Sequence, residues 1–228
     1  MKKLVLSLVA VAAFGFTANA QETEKPTYGF QESNVFVEGM FSINNKTSKL
    51  EVEGASKKKD TYYNFTPKVG YMLSDKFAVG VELGFGKVGG VDYDGTFEGV
   101  LEKSRKGYVK ETYAGAFGRY YFLELGQRFK TYAEVGVGFH QGVTEMGTAA
   151  KSVDLKQTGV KAGLGLGMNY FVTSNLAISF HLGDIFTYAN YNVKADGKKG
   201  STISETNANV NVFNNFFTEA KFGLTYKF

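Results

Sequence analysis

Two side chains in one segment of the sequence, Ser179 and His181, are of the types that nucleophilic catalysis uses. They are two residues apart, so an extended strand would place them on the same face. A serine activated by a histidine and a carboxylate can support acyl transfer. A polar pair of this kind is also an ordinary feature of a folded interior. We therefore assign no catalytic residue from the sequence.

A glycine pattern at Gly84–Gly89 matches the dinucleotide fingerprint G-x-G-x-x-G. That fingerprint binds a pyrophosphate only when a helix follows the glycines. Here residues 90–95 read as a loop, so we discard the match. The chain has no Cys and only two His, which argues against a thiolate or imidazole metal site. We expect neither a metal nor a cofactor.

The N-terminus has the features of a secretory signal. Lys2 and Lys3 precede an apolar run that ends in small residues at 18–20, too short for a membrane-spanning helix. We predict a cleaved signal peptide over residues 1–20. Without those two lysines, 24 basic residues face 22 acidic ones, from 26 and 22 in the whole chain. A net charge of +2 gives no reason to expect nucleic-acid binding.

The rest of the chain alternates apolar and polar residues with a period of two, which is typical of strands with two unlike faces. The clearest example is the row Phe77, Val79, Val81, Leu83, Phe85. No segment offers enough consecutive apolar residues for a transmembrane helix. The alternation predicts eight strands, at about 33–43, 61–73, 77–87, 108–122, 129–142, 156–172, 176–188 and 212–228.

The connections between these strands alternate in length. Three are short, at 73–77, 122–129 and 172–176, and four are long and polar, at 44–60, 88–107, 143–155 and 189–211. Short turns on one side and long loops on the other are typical of transmembrane barrels. We predict an all-β fold, an eight-stranded antiparallel up-and-down transmembrane β-barrel. The predicted divisions are the signal peptide (1–20), a periplasmic N-terminal extension (21–31) and the barrel domain (32–228).

The apolar face of the strands is predicted to point towards lipid. The opposite face is rich in glycine, which weakens an exposed strand but makes room for large side chains inside a narrow barrel. Aromatic residues near strand ends resemble the girdles of membrane interfaces, at Tyr63, Phe65, Tyr71, Phe77, Tyr120, Phe122, Phe129, Phe139 and Tyr170. The alternative is a soluble barrel of the lipocalin type, in which the apolar face points inward.

Charges of both signs are predicted inside the barrel. This polar network comprises Glu38, Lys68, Glu82, Arg119, Glu134, Lys161, His181, Glu219 and Lys221. Buried charges need partners or water, and we expect Glu82 to lie near Arg119 and Glu134 near Lys161. Because wide channels use about sixteen strands, the prediction is a packed plug of ion pairs. A conducting pore is the alternative.

The last strand carries Phe222, Leu224, Tyr226 and the terminal Phe228 on one face. This pattern looks like the C-terminal signal that the barrel assembly machinery recognises. With the predicted signal peptide, the amphipathic strands and the alternating loops, the sequence resembles the small outer-membrane β-barrel family, of the OmpX and OmpA transmembrane-domain type. The resemblance covers about residues 30–228 and implies a location in the outer membrane of a Gram-negative cell.

The resemblance implies a structural or surface-interaction role, with any recognition carried by the extracellular loops. Expected partners are outer-membrane lipids and lipopolysaccharide, the barrel assembly machinery and an extracellular ligand. Two alternatives stay open. One is a narrow porin-like passive channel. The other is a lipid-modifying hydrolase that would use Ser179 and His181, although enzymes of this kind need a site open to the leaflet.

Overall fold

A computed structural model describes residues 27–48, 58–92, 96–97, 100–101, 106–147, 152–195, 198–208 and 221–228. These residues form strands, turns and short irregular segments. Among them there is no helix long and apolar enough to span a membrane. The predicted signal peptide and residues 21–26 of the predicted extension lie outside the described residues, so both stay predictions.

Eleven strands are present within the described residues. They are β1 (Val35–Ser48), β2 (Lys58–Ser74), β3 (Phe77–Asp92), β4 (Thr96–Phe97), β5 (Val100–Leu101), β6 (Lys106–Leu125), β7 (Phe129–Gly147), β8 (Ser152–Phe171), β9 (Leu176–Ala195), β10 (Lys198–Ala208) and β11 (Lys221–Lys227). The strands β4 and β5 pair only with each other, as a two-residue ladder.

Eight of these strands close into a barrel in which every pairing is antiparallel. The order around the ring is β1, β2, β3, β6, β7, β8, β9 and β11, and β11 pairs again with β1. The strand β10 pairs with the second half of β9, and β11 with its first half, so the two lie along the same edge of β9. The predicted eight-stranded antiparallel barrel is confirmed.

The strands extend further towards the long loops than the apolar pattern indicated. The strand β1 continues to Ser48 and β9 to Ala195, while β10 lies within the segment that was predicted to be a loop at 189–211. Ladder hydrogen bonds are made by the backbone, so polar segments can continue a strand beyond the apolar rows. Of the predicted eighth strand, 212–228, the part before Lys221 lies outside the described residues.

The three short connections lie at one end of the barrel, called here the turn end, and the opposite end is called the loop end. Hydroxyl groups hold two of these turns. Ser74 Oγ accepts hydrogen bonds from the backbone N–H of Lys76 and Phe77, and Thr173 Oγ1 accepts from Asn175 and Leu176. The third turn places Gly126 at φ 65°, a conformation that favours glycine.

The predicted orientation of the two strand faces is confirmed. Val81 and Val137 are 61% and 56% exposed on the outside of the barrel, whereas Arg119 is fully buried inside it. The aromatic residues predicted to form girdles are also exposed on the outer face, apart from the half-buried Phe129. The soluble-barrel alternative, with the apolar rows in a dry centre, is therefore wrong.

Residues 27–34 lie across the turn end before β1 begins. Phe30 is buried there, and its ring centroid lies 4.9 Å from that of Tyr121, 5.2 Å from Phe171 and 5.3 Å from Phe36. Tyr28 accepts a hydrogen bond from Arg128 Nη2 at 2.6 Å. The last residues of the predicted extension therefore help to fill the barrel at its turn end.

Candidate functional site in the barrel lumen

An aromatic layer fills the lumen at the turn end. Its members share a burial of 93% or more and pack as one cluster with Met72, Ala78 and Ala177: Phe30, Phe36, Phe117, Tyr121, Tyr132 and Phe171. Inward-facing glycines leave the space that these rings occupy. A Cβ atom at Gly70 would overlap the ring of Phe36, and one at Gly167 would overlap Tyr132. The predicted use of glycine inside the barrel is observed at these two positions.

Next to the aromatic layer, towards the loop end, lies an ionic layer made of Glu38, Lys68, Glu82, Arg119 and Glu134. The Arg119 guanidinium binds Glu38 with two hydrogen bonds, Nη2–Oε1 at 2.7 Å and Nη1–Oε2 at 3.0 Å. Its Nε donates to Glu134 Oε2 at 2.7 Å. The side chains of Arg119 and Glu38 are fully buried. Such planar, two-point contacts are the geometry in which arginine binds carboxylates best.

Lys68 joins the remaining two carboxylates of the ionic layer. Its Nζ lies 3.0 Å from Glu82 Oε2 and forms a second ion pair with Glu134. Both cations also lie over aromatic rings: the Arg119 guanidinium carbon is 3.9 Å from the centroid of Tyr132, and Lys68 Nζ is 5.0 Å from that of Phe117. The two layers are thus one packed unit, as expected for a plug whose buried charges are all paired.

The ion pairs differ from those expected from the sequence. Glu82 binds Lys68 rather than Arg119, and Glu134 binds Arg119 and Lys68 rather than Lys161. The backbone register explains the difference. Glu82 lies opposite Gly115, four residues along β6 from Arg119, and Lys161 lies opposite Gly138, four residues along β7 from Glu134.

The other predicted interior charges lie nearer the loop end. Lys161, His181 and Lys221 line a cavity of about 950 Å³ that begins at the ionic layer and extends towards the loop end, called here the vestibule. Within the described residues neither lysine forms an ion pair, while His181 Nε2 lies 3.1 Å from Asp184 Oδ1. Glu219 lies outside the described residues. His140 also lines the vestibule, and its ring lies tilted against that of Tyr191, with 5.2 Å between the ring centroids.

Ser179 and His181 belong to separate clusters. Asn169 Nδ2 donates to Ser179 Oγ at 2.7 Å, and Thr225 Oγ1 donates to Glu38 Oε2 at 2.7 Å. Because the Thr225 proton is used in that bond, the 2.5 Å contact between Ser179 and Thr225 has Ser179 as its donor. The hydroxyl proton of Ser179 therefore points away from His181, and the geometry offers no Ser–His pair for acyl transfer.

Asn169 and Thr225 were missing from the predicted polar network although both are buried and hydrogen-bonded. Asn169 lies on the same inward face as the glycines of β8, and Thr225 lies between Leu224 and Tyr226. Alternation alone could have placed both inside. Among the described residues there is no group of three or more Asp, Glu or His that could hold a metal ion.

The C-terminal residues of the predicted assembly signal lie on the outer face of β11. Phe222, Leu224 and Phe228 are exposed, and Tyr226 packs edge-on against Phe228 with 5.0 Å between the ring centroids. The backbone N–H of Phe228 donates to Val35 O at 2.9 Å, which joins the last residue to β1. The predicted shared apolar face is thus observed, and its recognition by an assembly machinery stays a prediction.

No family model matches the sequence, and no curated protein matches it. Among solved structures, the chain is similar to Neisserial surface protein A, with 15% identity over 86% of this chain and 100% of that chain and a TM-score of 0.46. It is also similar to the outer membrane protein OprG from Pseudomonas aeruginosa, with 17% identity over 88% and 98% of the two chains and a TM-score of 0.45. The chain is similar as well to the N-terminal β-barrel domain of Pseudomonas aeruginosa OprF, with 15% identity over 86% of this chain and 98% of that chain and a TM-score of 0.41.

These solved structures include a surface protein and an outer membrane protein, the class that the sequence resembles. Their TM-scores lie below 0.5 and their identities below 25%. The assignment of an eight-stranded barrel therefore rests on the strand register of this chain itself.

Proposed function

We propose that this chain is an integral outer-membrane β-barrel that serves as a closed anchor and presents its loop end for surface interactions. The exposed apolar rows on the outer face support the membrane location. A soluble monomer rarely exposes a contiguous apolar patch larger than about 600 Å², whereas here Val81, Leu83, Val135, Val137 and Leu224 are all about half exposed. Hydrocarbon is the solvent in which such a surface is stable.

The observation that best supports a closed lumen is the complete burial of Arg119 between Glu38 and Glu134, next to the aromatic layer. A water-filled path through the barrel would have to pass these two layers, and neither contains an exposed member at its centre. An eight-stranded barrel has an interior that side chains alone can fill. These contacts favour a plug over a porin-like passive channel.

Planar-bilayer recording tests this proposal. The full chain, folded in detergent and added to the bilayer, is expected to produce no stable conductance steps, while a sixteen-stranded porin inserted in the same bilayer serves as the positive control. Insertion of the chain itself is checked by recovering heat-modifiable protein from the membrane. Large, stable and reproducible steps from the inserted chain would overturn the closed lumen.

A hydrolase is disfavoured by the contacts of Ser179, whose hydroxyl is bound to Asn169 and Thr225 inside the lumen. We therefore propose a role without catalysis. A lipid A deacylation assay on the wild-type chain and on Ser179→Ala tests this: neither is expected to release fatty acid. Release by the wild-type chain that Ser179→Ala abolishes would contradict the proposal.

The proposed partners follow from this location. They are the lipids of the outer membrane, lipopolysaccharide among them, the assembly machinery that would read the face of Phe222 and Phe228, and a ligand held by the loops. For the assembly step, Phe228→Ala is expected to lower the amount of heat-modifiable barrel in the outer-membrane fraction. An unchanged amount would remove Phe228 from the proposed signal.

A further inference from the structure

Three side chains with rings lie at one level of the vestibule wall, on three different strands. In register, Tyr113 of β6 lies directly opposite His140 of β7. Gly159 of β8 lies opposite both His140 and Tyr191 of β9, and so separates them. Tyr113, His140 and Tyr191 all line the vestibule and are called here the aromatic row. Because Gly159 has no side chain, the rings on either side of it approach to 5.2 Å between centroids.

Tyr113 lies against the barrel wall because two inward positions beside it are glycines. A Cβ atom at Gly115 would come within 2.4 Å of the Tyr113 hydroxyl, and one at Gly138 within 2.7 Å of the ring carbon Cζ. Glycine in a strand often marks a place where another group approaches the backbone closely. The Tyr113 side chain therefore lies between the wall and the vestibule, where it offers an aromatic surface to a ligand.

Polar side chains border the aromatic row on both sides along the strands. On β8, Gln157 lies two residues from Gly159 towards the loop end, and Lys161 lies two residues from it towards the turn end. On β6, Glu111 lies two residues from Tyr113 towards the loop end. All three polar side chains line the vestibule. Two residues of a strand span about 7 Å, so these groups lie within reach of a ligand that contacts the rings.

Several of these polar groups have hydrogen-bonding capacity to spare. In the part of the chain that the structure describes, the Gln157 amide and the Lys161 ammonium form no hydrogen bond. Glu111 accepts a hydrogen bond from the Tyr62 hydroxyl at Oε2, 3.2 Å away, which leaves Oε1 as an acceptor. His140 Nδ1 is buried and has no hydrogen-bond partner among the described residues. A proton there would have no acceptor, so the neutral ring carries its proton on Nε2.

This combination of groups fits a neutral, puckered ring better than an ion or a flat ring. Lys161 and Glu111 carry opposite charges, so the two charges that border the aromatic row cancel. The rings of His140 and Tyr191 are tilted by 53°, which makes an angled corner instead of a slot between parallel planes. A sugar ring has C–H groups that pack on aromatic faces and hydroxyl groups that both donate and accept. The vestibule, at about 950 Å³, lies within the range of about 300–1,000 Å³ for small-ligand pockets.

We propose that the aromatic row binds the pyranose ring of a carbohydrate that enters the vestibule from the loop end. The sugar ring packs on Tyr113 and Tyr191, and its hydroxyl groups bond to Glu111, Gln157 and Lys161. The ionic layer is the floor of the site, so the ligand is held and not transported. The inference goes beyond the proposed function because it assigns a ligand to the lumen instead of the loops. Only the location of the site at the cell surface rests on that function.

Saturation-transfer difference NMR of the full chain tests the site. The chain is folded in lauryldimethylamine oxide micelles, because detergents with sugar headgroups would compete. The probes are the methyl α-pyranosides of glucose, galactose and mannose, and sorbitol serves as a polyol without a ring. We expect at least one glycoside to receive saturation at its ring C–H protons, and sorbitol to receive none. Adenine and inorganic phosphate, at equal concentration, are expected not to displace the glycoside.

Variants with matched controls on the outer face assign the contacts. Tyr191→Ala is expected to weaken glycoside binding about tenfold, because an aromatic surface is lost. Tyr188→Ala, an exposed tyrosine on the same strand, should leave it unchanged. Lys161→Gln is expected to weaken binding about tenfold through the loss of a charge-assisted hydrogen bond. Lys156→Gln, an exposed lysine on the same strand, is its control.

Four results would overturn the pyranose site: no saturation transfer to any of the three glycosides, equal transfer to sorbitol, displacement by adenine or phosphate, or equal binding by variants and controls. Competition with intact lipopolysaccharide then identifies the source of the sugar. Displacement indicates the polysaccharide of the membrane itself and no displacement a free glycan, and both uphold the site. All samples must show a heat-modifiable shift on gels. Loss of that shift in the wild-type chain would instead contradict the proposed membrane barrel.

Discussion

Arg119 and Glu38 lie 81 residues apart in the sequence and are joined by two hydrogen bonds across the lumen, at 2.7 and 3.0 Å. Glu38 is on β1 and Arg119 on β6, which are not neighbours in the ring. The pair therefore connects distant parts of the wall through the interior. Together with Glu134 and Lys68, this pair links side chains from four strands, β1, β2, β6 and β7. A backbone ladder, in contrast, joins only two neighbouring strands.

Removing the arginine is expected to destabilise the barrel strongly. Arg119→Ala leaves Glu38 and Glu134 with carboxylates in a buried site, and breaking such a pair costs about 3–5 kcal/mol. The measurement is the free energy of unfolding in urea for the full chain in phosphatidylcholine vesicles, followed by the gel shift between folded and unfolded forms. Lys76→Ala, at an exposed turn position, is the control and should change it by less than about 0.5 kcal/mol. Equal, small effects of both changes would show that the ionic layer does not stabilise the fold.

Glycine positions inside and outside the wall should differ in their tolerance of a methyl group. Gly70→Ala places a Cβ atom within the ring of Phe36, so we expect a loss of about 1–3 kcal/mol from overpacking. Gly39→Ala faces outward and would meet Phe65 at 3.5 Å, an ordinary contact, so its effect should be small. The same urea titration distinguishes them, and equal effects would contradict the proposed packing of the lumen.

The N-terminal residues are expected to contribute to barrel stability. Phe30→Ala removes a buried ring that packs on Phe36, Tyr121 and Phe171, a change that typically costs about 3–5 kcal/mol. Gln31→Ala alters the next, exposed residue and is the matched control. If Phe30→Ala unfolds at the same urea concentration as the control, residues 27–34 do not belong to the packed barrel.

The sequence pattern was sufficient for the strands and for the faces they present, because a period of two assigns each residue to one side of the wall. It was insufficient for the ion pairs. The expected pairs joined β3 to β6 and β7 to β8, where long connections leave the register undetermined. The observed pairs Lys68–Glu82 and Arg119–Glu134 each lie directly opposite one another across a short turn. Counting residues back from those turns comes within one residue of both pairs, because each hairpin has a register shift next to its turn, between Met72 and Ser74 and between Tyr121 and Leu123.

Other contacts in the lumen depend on how far apart the strands lie around the barrel. The alternation of apolar and polar residues gives no information on those distances. The contact of Arg119 with Glu38 depends on the tilt and stagger of the whole barrel, which link strands three positions apart. Phe30 precedes the first strand, so no periodic pattern marks it as a core residue. The continuation of β9 to Ala195 was missed because polar residues in a ladder look like a loop in sequence.

Oxygen accessibility of single spin labels tests most directly that the apolar rows face lipid while the charges fill the lumen. The chain has no native Cys, so Val81→Cys, Val137→Cys and Thr66→Cys each give one labelled site in vesicles. We expect labels at Val81 and Val137 to collide more with oxygen than with a water-soluble nickel complex, and the label at Thr66, which lines the vestibule, to show the reverse. Water exposure at Val81 and Val137 with a lipid-exposed Thr66 would contradict the account.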